Sequence, residues 1–478
     1  MSGEFFYAVS AFISTWVWQI AVLIVLYLFF RMRAIEPARR LFVMGMFAWF
    51  FLIIMTFWLL KPVKKALFVG HYKLHGGEVF GFALDPAQME LLAKEANLLV
   101  ALAYFLLLSW SRSSLAQGMY YSLLVTGCYG AGLLAFAMTA NLGAAGYVWL
   151  LYLFGDLLVI SLVAVFFSFL HAHSDLASSR RLYALIGMGG VLGGFTGSAT
   201  LATFGQMLDT QQTLIGASFF LELSILVQVV MSHSLSQQGR TVAPVGPPKF
   251  VHPPTVDQPP YEGPTRWGNL WSGAQIVLKS RHLLLIAGML SVYEVVSVLM
   301  DYQFTQAVTS SLRPDQFKTY FSSVFTFSNA LSVLVQLVLT GWLLRRFGPH
   351  LALYVMPMAI LVGSGLYFAA PALLFASLLS TADNAFAYSV QQTSREALYV
   401  PTSTREKYEA KAFIDVVWLR ASKGVAILIG LGVSLVVGAG HSVWLSLCVM
   451  FLVIIWLALL GKMLVSYRQL TAAPRQSP

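Results

Sequence analysis

The sequence predicts an all-α protein that crosses a membrane many times. Of its 478 residues, 58% are hydrophobic and only 10% are charged, whereas a soluble domain carries roughly 25% charged residues. Such a chain cannot cover a water-facing surface, but it can present apolar side chains to lipid. Apolar runs long enough to span the ~30 Å hydrocarbon core recur through both halves of the chain. The composition therefore argues against a soluble enzyme.

Thirteen apolar segments are predicted to be transmembrane helices, one leading helix followed by two groups of six. The first segment lacks a basic start and is too long for the apolar part of a signal peptide, so we interpret it as a retained helix. A short Ala-Ala-Pro break separates the tenth segment from the eleventh. The predicted segments are 8–30, 41–69, 88–110, 117–140, 146–171, 182–204, 212–232, 283–308, 318–344, 350–370, 371–399, 409–437 and 442–466.

Basic residues fall mostly in alternate loops. With thirteen helices, the clusters at 31–40, 345–346 and 405–411 all lie on one side of the membrane. Because cytoplasmic loops are enriched in Lys and Arg, we predict an external N-terminus and a cytoplasmic C-terminus in the inner membrane of a bacterium. Topology thus accounts for the formal net charge of +10 without a nucleic-acid partner. The opposite loops hold only Lys73, Arg313 and Lys318.

A polar segment rich in proline separates the two groups of helices. Its Val-Gly-Pro-Pro, His-Pro-Pro and Gln-Pro-Pro runs are typical of a semi-rigid linker, and its end, 267–279, is a possible amphipathic helix on the membrane surface. Six helices, a cytoplasmic linker and six more helices are the plan of the major facilitator fold, in which two halves move around a central site. The predicted units are 1–40, an extra N-terminal transmembrane helix with a basic loop; 41–232, the first six-helix half; 233–280, the linker; 281–468, the second half; and 469–478, a cytoplasmic tail.

Three lysines lie late in the first helix of the first group. Lys61, Lys64 and Lys65 are spaced i, i+3 and i+4, so they share one helix face. Three like charges on one face repel one another unless water or an anion lies between them, which favours an anion-binding surface in a cavity. The alternative places the lysines at the outer membrane interface, because Lys61 follows Arg40 by about 20 residues, or ~30 Å of helix.

Other charged residues lie well inside apolar segments, where a charge costs at least ~2.5–3.5 kcal/mol on insertion scales. Asp156 lies in the fourth helix of the first group. Glu294 and Asp301 lie on nearly the same face of the first helix of the second group. For each of them, structural pairing between helices and contact with a solute both remain open. We assign gating or interhelical charge pairs to Glu294, Arg420 and Lys423.

A glycine-rich run at 187–197 could suggest a phosphate-binding loop. No Gly-Lys-Ser/Thr follows it, and the run lies within an apolar segment. The spacing of Gly190 and Gly194 instead favours close helix packing. No nucleophile motif or metal-ligand motif stands out, so we expect no catalytic residue, no cofactor and no metal.

One stretch carries a family resemblance. It reads Ser389-Val-Gln-Gln-Thr-Ser-Arg-Glu-Ala-Leu-Tyr-Val-Pro401, and it continues with Lys411-Ala-Phe-Ile-Asp-Val-Val-Trp-Leu-Arg-Ala-Ser-Lys423. Together with moderate matches at 60–69 and 180–187, it resembles the ATP:ADP antiporters of plastids and obligate intracellular bacteria. The resemblance runs from 41 to 440, so the leading helix is additional to the family core. It implies a transporter, and not an enzyme, that exchanges nucleotides by alternating access.

The resemblance implies a role for particular charged residues. The family's first-helix Lys falls on Lys64, with Lys61 in place of a preceding Arg. The seventh-helix Glu falls on Asp301. The tenth-helix Lys falls on Arg395, which Glu396 follows as in the family.

Two positions depart from the family pattern. The fourth-helix Glu falls on Tyr152, although Asp156 lies one turn later on the same face. In the stretch after Asp301, the family has a Trp followed by a Lys, and the position of that Lys is Thr305 in this chain. These departures bear on ATP/ADP specificity.

The first hypothesis is exchange of an anionic phosphorylated solute, such as ATP, ADP or another nucleotide. Lys61, Lys64 and Arg395 would neutralise phosphates, and Asp156 and Asp301 would pair with those cations. An alternative is a proton-coupled carrier of another organic anion in which Asp156 or Asp301 titrates, and a third is a membrane scaffold or receptor without transport. The complete predicted substrate-binding set is Lys61, Lys64, Lys65, Tyr152, Asp156, Asp301, Arg395 and Glu396.

Overall fold

The fold is a bundle of long helices, as a computed structural model of the chain shows. The structure describes residues 37–79, 81–110, 119–139, 143–173, 179–237, 266–336, 351–387, 406–437 and 443–472, with isolated positions between them. Apart from Ala8, the predicted leading helix at 8–30 lies outside the described residues, as does the linker at 238–265.

Six helices lie between Pro37 and Gln237. A hairpin of β1 (Gly77–Val79) and β2 (Phe82–Leu84) joins the first two of them. Gly76, directly before β1, and Gly81, directly before β2, have φ angles of 73° and 81°, a conformation that glycine adopts without steric cost. The hairpin was not predicted, because strands of three residues are too short to show an alternating pattern. The helices are α1 (Pro37–His75), α2 (Pro86–Trp110), α3 (Met119–Thr139), α4 (Ala145–His173), α5 (Ser179–Phe204) and α6 (Thr210–Gln237).

Helix α1 continues beyond its predicted end at 69 and ends at His75. The additional residues, 70–75, are mostly polar, but Tyr72 among them packs against the bundle. Tyr72 is buried, its ring lies 5.1 Å from that of Phe68, and its hydroxyl accepts a hydrogen bond of 2.6 Å from Trp149 Nε1. The lysines at 61–65 therefore lie within the helix, at a distance from its end.

The second group of six helices follows α7 (Arg266–Lys279), the helix predicted at the end of the linker. The predicted break between the tenth and eleventh segments is present at 370–372. Two π-helical segments, Glu406–Ala410 and Ile414–Trp418, flank a short α-helical turn ahead of α12, and π-helical geometry is frequent at functional sites. The six helices are α8 (Arg281–Ser311), α9 (Pro314–Leu334), α10 (Val355–Ala369), α11 (Leu373–Phe386), α12 (Leu419–Val437) and α13 (Leu445–Ala472).

Within the described ranges, eight helices are long and apolar enough to cross a membrane: α1, α3, α4, α5, α6, α8, α12 and α13. Helices α10 and α11 are apolar but shorter. Large apolar side chains such as Phe219, Leu428 and Phe451 are exposed on the outside of the bundle, where lipid can cover them. The chain is therefore a multi-pass membrane protein.

The glycine-rich run forms the contact between α5 and α1. A Cβ at Gly189 would lie 2.5 Å from the carbonyl oxygen of Phe47, and one at Gly197 would lie 2.5 Å from that of Met55. Any larger side chain would push the two helices apart. The structure confirms the close-packing prediction for this run.

The two groups meet through a limited set of helices. Helix α2 packs against α8 and α12, whereas α1 and α5 pack against α9. An apolar cluster joins Trp58 and Val69 of α1 to Phe317 and Phe321 of α9. These contacts leave a cavity between the groups.

Candidate functional site

A cavity of about 730 Å³ lies between the two groups of helices. This volume is within the range of small-molecule sites, roughly 300–1,000 Å³. Its described lining residues include seven basic side chains and five carboxylates, an excess of positive charge that favours an anion. The basic residues are Lys61, Lys64, Lys65, Lys94, Arg395, Arg420 and Lys423; the acidic residues are Glu90, Asp156, Glu294, Asp301 and Asp383.

Lys64 extends from α1 to α4. Its ammonium group forms an ion pair with Asp156, lies 3.5 Å from the carbonyl oxygen of Tyr152, and lies 4.4 Å from the centre of the Tyr152 ring. Asn97 of α2 donates a hydrogen bond of 2.7 Å to the other oxygen of Asp156. Lys64 is only 5% exposed and lines the cavity.

Lys65 and Asp301 connect the two groups of helices. Lys65 Nζ lies 3.0 Å from a carboxylate oxygen of Asp301 in α8 and 3.0 Å from one of Glu90 in α2. Lys94 lies 3.2 Å from Glu90 and forms a second ion pair with Asp301. Thr305 Oγ1 donates a hydrogen bond of 2.9 Å to Glu90. The result is a partly buried network of two lysines and two carboxylates, in which Lys65 and Glu90 are buried and Lys94 and Asp301 are partly exposed.

This network differs from the predicted pairing of Asp301. The prediction paired Asp301 with Lys61, Lys64 or Arg395. In the structure the partners of Asp301 are Lys65 and Lys94. The reason is geometric, because α2 and α8 are in contact and bring Lys94 and Asp301 together.

Lys61 is held by aromatic rings. Its ammonium group lies 4.4 Å from the ring centre of Trp58 on its own helix and 4.6 Å from that of Phe325 on α9. Such cation–π contacts hold a charge without neutralising it. Within the described part of the chain, no carboxylate lies within 4.0 Å of Lys61 Nζ. Its charge is therefore open to an anion in the cavity.

Arg395 lines the cavity in the second group. One of its terminal nitrogens lies 4.0 Å from Asp415 in the second π-helical segment. Its Nε is buried and has no hydrogen-bond partner among the residues that the structure describes. The guanidinium group thus retains hydrogen-bonding capacity. The neighbouring Glu396 lies outside the described residues.

Glu294, Arg420 and Lys423 also line the cavity. Lys423 and Arg395 are close enough to Glu294 to interact with it electrostatically. No ion pair within 4.0 Å joins Glu294, Arg420 or Lys423 to another described residue. Their assignment to gating or interhelical pairs stays a prediction.

The basic residues form two tiers along the cavity. Glu294 and Asp301 are seven residues apart on α8, or ~10 Å along the helix axis. Lys65 and Lys94 surround Asp301, whereas Arg395 and Lys423 lie towards Glu294. An elongated anion with several charges could contact both tiers.

The sequence-based prediction missed several polar residues of the described cavity wall, among them Glu90, Lys94, Asn97 and Asp383. Glu90 and Lys94 lie near the start of a predicted helix, where charges usually indicate the membrane interface. Their i, i+4 spacing, typical of an ion pair on one helix face, was a usable signal. Asp383 lies in an apolar run, so the rule that selected Asp156 would have selected it too.

A family model supports the predicted resemblance. Residues 137–382 match the model described as TLC ATP/ADP transporter. The ADP,ATP carrier protein 1 of Chlamydia muridarum is 22% identical over 376 residues, covering 72% of this chain and 69% of the relative. The ADP,ATP carrier protein 4 of Rickettsia felis is 23% identical over 203 residues, covering 38% of this chain and 40% of the relative.

The coverage of these relatives is partial. The ADP,ATP carrier protein 1 of Chlamydia trachomatis is 21% identical over 347 residues, covering 66% of this chain and 64% of the relative. The chain thus spans 64% to 69% of the length of these two Chlamydia relatives.

Solved structures of membrane transporters share the fold. The nucleoside transporter NupG has a TM-score of 0.53 at 14% identity, covering 89% of this chain and all of its own. A POT family transporter in complex with 5-aminolevulinic acid has a TM-score of 0.56 at 11% identity, covering 87% and 96%. The inward-open xylose transporter XylE from E. coli has a TM-score of 0.51 at 13% identity, covering 87% and 95%. These likenesses confirm the fold class, a bundle of the major facilitator type.

Proposed function

This chain belongs to the TLC ATP/ADP transporter family, and we propose that it exchanges ATP, ADP or a related nucleotide across the bacterial inner membrane. The observation that carries the proposal is the cavity between the two groups of helices, with seven basic side chains in its described wall. A nucleotide carries two to four negative charges on one extended phosphate chain, and such a cavity can neutralise them from several directions.

The first binding element is the pair of lysines on α1. Lys61 is held only by aromatic rings among the described residues, so it can contact a phosphate without first losing a carboxylate. Lys64 is oriented by Asp156 and Tyr152. A charge-assisted hydrogen bond from either lysine is worth about 1.5–3 kcal/mol. Together these residues hold the phosphate chain at the first half.

Arg395 supplies the contact from the second half. Its planar guanidinium group can bind two phosphate oxygens at once, and its buried Nε lacks a partner among the described residues. A nucleotide bound to Lys64 and Arg395 together would hold the two halves at one distance. This contact from both halves is what couples binding to the movement of one half against the other.

The ion pairs around Asp301 are the proposed gate on the outer side. They join α1 and α2 of the first half to α8 of the second. Nearby, Tyr302 donates a hydrogen bond of 2.9 Å to Asp85, and Gln88 donates one of 3.2 Å to Ser434. All of these contacts must break for the cavity to open outwards. The predicted topology, with the C-terminus in the cytoplasm, assigns this end to the outside.

The alternative of a carrier in which Asp156 or Asp301 titrates has less support. Asp156 is paired with Lys64, and Asp301 with both Lys65 and Lys94. Each of these carboxylates is already balanced by a cation, so neither requires a proton to lie in the bilayer.

A binding panel tests the proposed substrate class. Purified protein in detergent would be heated with ATP, ADP, AMP, adenosine, pyrophosphate or citrate. We expect ATP and ADP to raise the unfolding temperature, because a ligand at a hundred times its Kd stabilises by about 2.7 kcal/mol. Adenosine, which lacks phosphate, is the matched control and should have little effect. If no phosphorylated compound stabilises the protein while citrate does, the nucleotide proposal is wrong.

A further inference from the structure

Asp383 is a carboxylate of the cavity wall that is bound by hydroxyl groups. It lies on α11, in the apolar run Leu373–Phe386. Its Oδ1 accepts a hydrogen bond of 3.2 Å from the hydroxyl of Tyr293, and its Oδ2 accepts one of 2.9 Å from Ser297. Both donors lie on α8, so Asp383 is held in place by a neighbouring helix.

Asp383 is hydrogen-bonded only to hydroxyl groups among the described residues, whereas three other carboxylates of the cavity are paired with lysine. Asp156, Glu90 and Asp301 each form an ion pair with at least one lysine. For Asp383, no lysine or arginine of the described ranges lies within 4.0 Å. An ionised carboxylate at bilayer depth is costly unless a cation or a proton balances it. The charge of an ionised Asp383 is thus not balanced by any ion pair with the described residues.

The groups around Asp383 do not supply a counter-charge. On α8 it faces Tyr293, Glu294 and Asp301, of which the two carboxylates repel its negative charge. Helix α9 reaches α11 through two neutral hydrogen bonds, one between Ser328 and Thr381 and one between Tyr320 and Ser377. Helix α10 reaches it through apolar contacts of Gly363 with Leu379. The basic residues of the cavity, on other elements, are Lys61, Lys64, Lys65, Lys94, Arg395, Arg420 and Lys423.

An anionic solute in this cavity would add further repulsion. The phosphate groups would engage the basic residues and would bring their negative charge into the same enclosed space as Asp383. Interactions between charges are screened less in such a space than in water. An incoming anion therefore opposes the ionisation of Asp383, which has no cation within ion-pair distance among the described residues.

We propose that Asp383 takes up a proton when an anionic solute binds in the cavity, so that the bound anion and the proton are carried together. The solute class rests on the proposed function. The proton comes from bulk water and adds to one carboxylate oxygen. The resulting carboxylic acid donates one hydrogen bond, which the hydroxyl of Ser297 can accept, because a hydroxyl is both donor and acceptor.

Thermodynamic linkage sets the sign of the effect. If anion binding promotes proton uptake, then protonation must strengthen anion binding by the same factor. Affinity for the nucleotide should therefore rise as the pH falls. Substituting Asp383 with asparagine should remove the Asp383 contribution to that dependence, because the neutral amide imitates the protonated acid.

Calorimetry measures the proton directly. ATP would be titrated into the full-length protein between pH 6 and pH 8, in pairs of buffers with different heats of ionisation. The dependence of the binding heat on the buffer gives the number of protons taken up. We expect the wild type to take up more protons than Asp383→Asn, by at most one per nucleotide. The protonation of ATP itself is measured without protein and subtracted.

Asp315→Asn is the matched control. Asp315 lies at the start of α9, with its side chain 68% exposed and next to Arg313, so this variant should match the wild type. Equal proton uptake by wild type and Asp383→Asn, with ATP bound by both, overturns the proposal. If Asp383→Asn does not fold, the wild-type protein alone provides the test. Proton uptake by the wild type that is no greater than that of ATP without protein, at every pH, also overturns the proposal. If ATP does not bind the wild type, the proposed function itself fails, and this inference fails with it.

Discussion

Lys64 of α1 forms an ion pair with Asp156 of α4, and the Lys64 ammonium group lies 4.4 Å from the centre of the Tyr152 ring. Two residues of α4 therefore fix the position of the Lys64 charge at the cavity wall. The pairing orients Lys64 while leaving it within reach of an anion in the cavity. The contribution of this lysine to anion binding can be measured separately from its contribution to folding.

Lys64→Ala should weaken nucleotide binding roughly ten- to a hundredfold, because one charge-assisted contact of ~1.5–3 kcal/mol is lost. Equilibrium binding of labelled ATP measures this, and gel filtration in detergent shows whether the protein is folded. Lys73→Ala is the matched control, since Lys73 is an exposed lysine in the last turn of the same helix. Normal ATP binding by folded Lys64→Ala would remove Lys64 from the proposed site.

Arg395 should show a graded response to substitution. Arg395→Ala is expected to reduce binding as strongly as Lys64→Ala. Arg395→Lys should be intermediate, because it keeps the charge but loses the planar pair of donors. The same binding measurement applies to both variants. Identical affinities for Arg395→Lys and the wild type would show that geometry at this position is unimportant.

The glycine contact between α5 and α1 predicts an effect on stability. Gly197→Ala places a Cβ 2.5 Å from the carbonyl oxygen of Met55, and overpacking of this kind typically costs about 1–3 kcal/mol. Gly216→Ala on α6 is the control, because nothing lies within 4 Å of its Cβ. Thermal unfolding should show a lower midpoint for Gly197→Ala only. Equal midpoints would mean that the helices separate without cost.

The predicted topology gives opposite locations to the N-terminus and to the end of α6. Single cysteines at Ser2 and Gln237, in a protein whose Cys128 and Cys448 are replaced by alanine, would be labelled with a membrane-impermeant reagent in intact cells. We expect labelling at Ser2 and none at Gln237 until the membrane is opened. The same accessibility at both positions would contradict the count of thirteen helices.

The helices could be predicted from the sequence because each apolar run is long enough to cross the membrane. The predicted segment 146–171 corresponds to α4 at Ala145–His173, and the segment 182–204 to α5 at Ser179–Phe204. The charges Asp156 and Asp301 were equally visible, since each interrupts an apolar run. Both lie at the cavity.

The pairing of these charges was not predictable from the sequence. Lys94 and Asp301 are 207 positions apart, and only the contact between α2 and α8 brings them together. Glu90 lies four residues before Lys94, near the start of a helix, where a charge normally faces water. Here α8 covers it, and it is only 2% exposed. Long-range packing thus decides which ionisable groups form the network.

Counterflow in proteoliposomes tests the central claim of nucleotide exchange most directly. Vesicles containing the purified protein would be loaded with unlabelled ATP, with adenosine or with buffer alone, and uptake of labelled ATP would be followed. We predict that ATP inside the vesicles stimulates uptake, that adenosine does not, and that Lys64→Ala vesicles show little uptake under any condition. Uptake of ATP that is the same into nucleotide-loaded and nucleotide-free vesicles would contradict exchange.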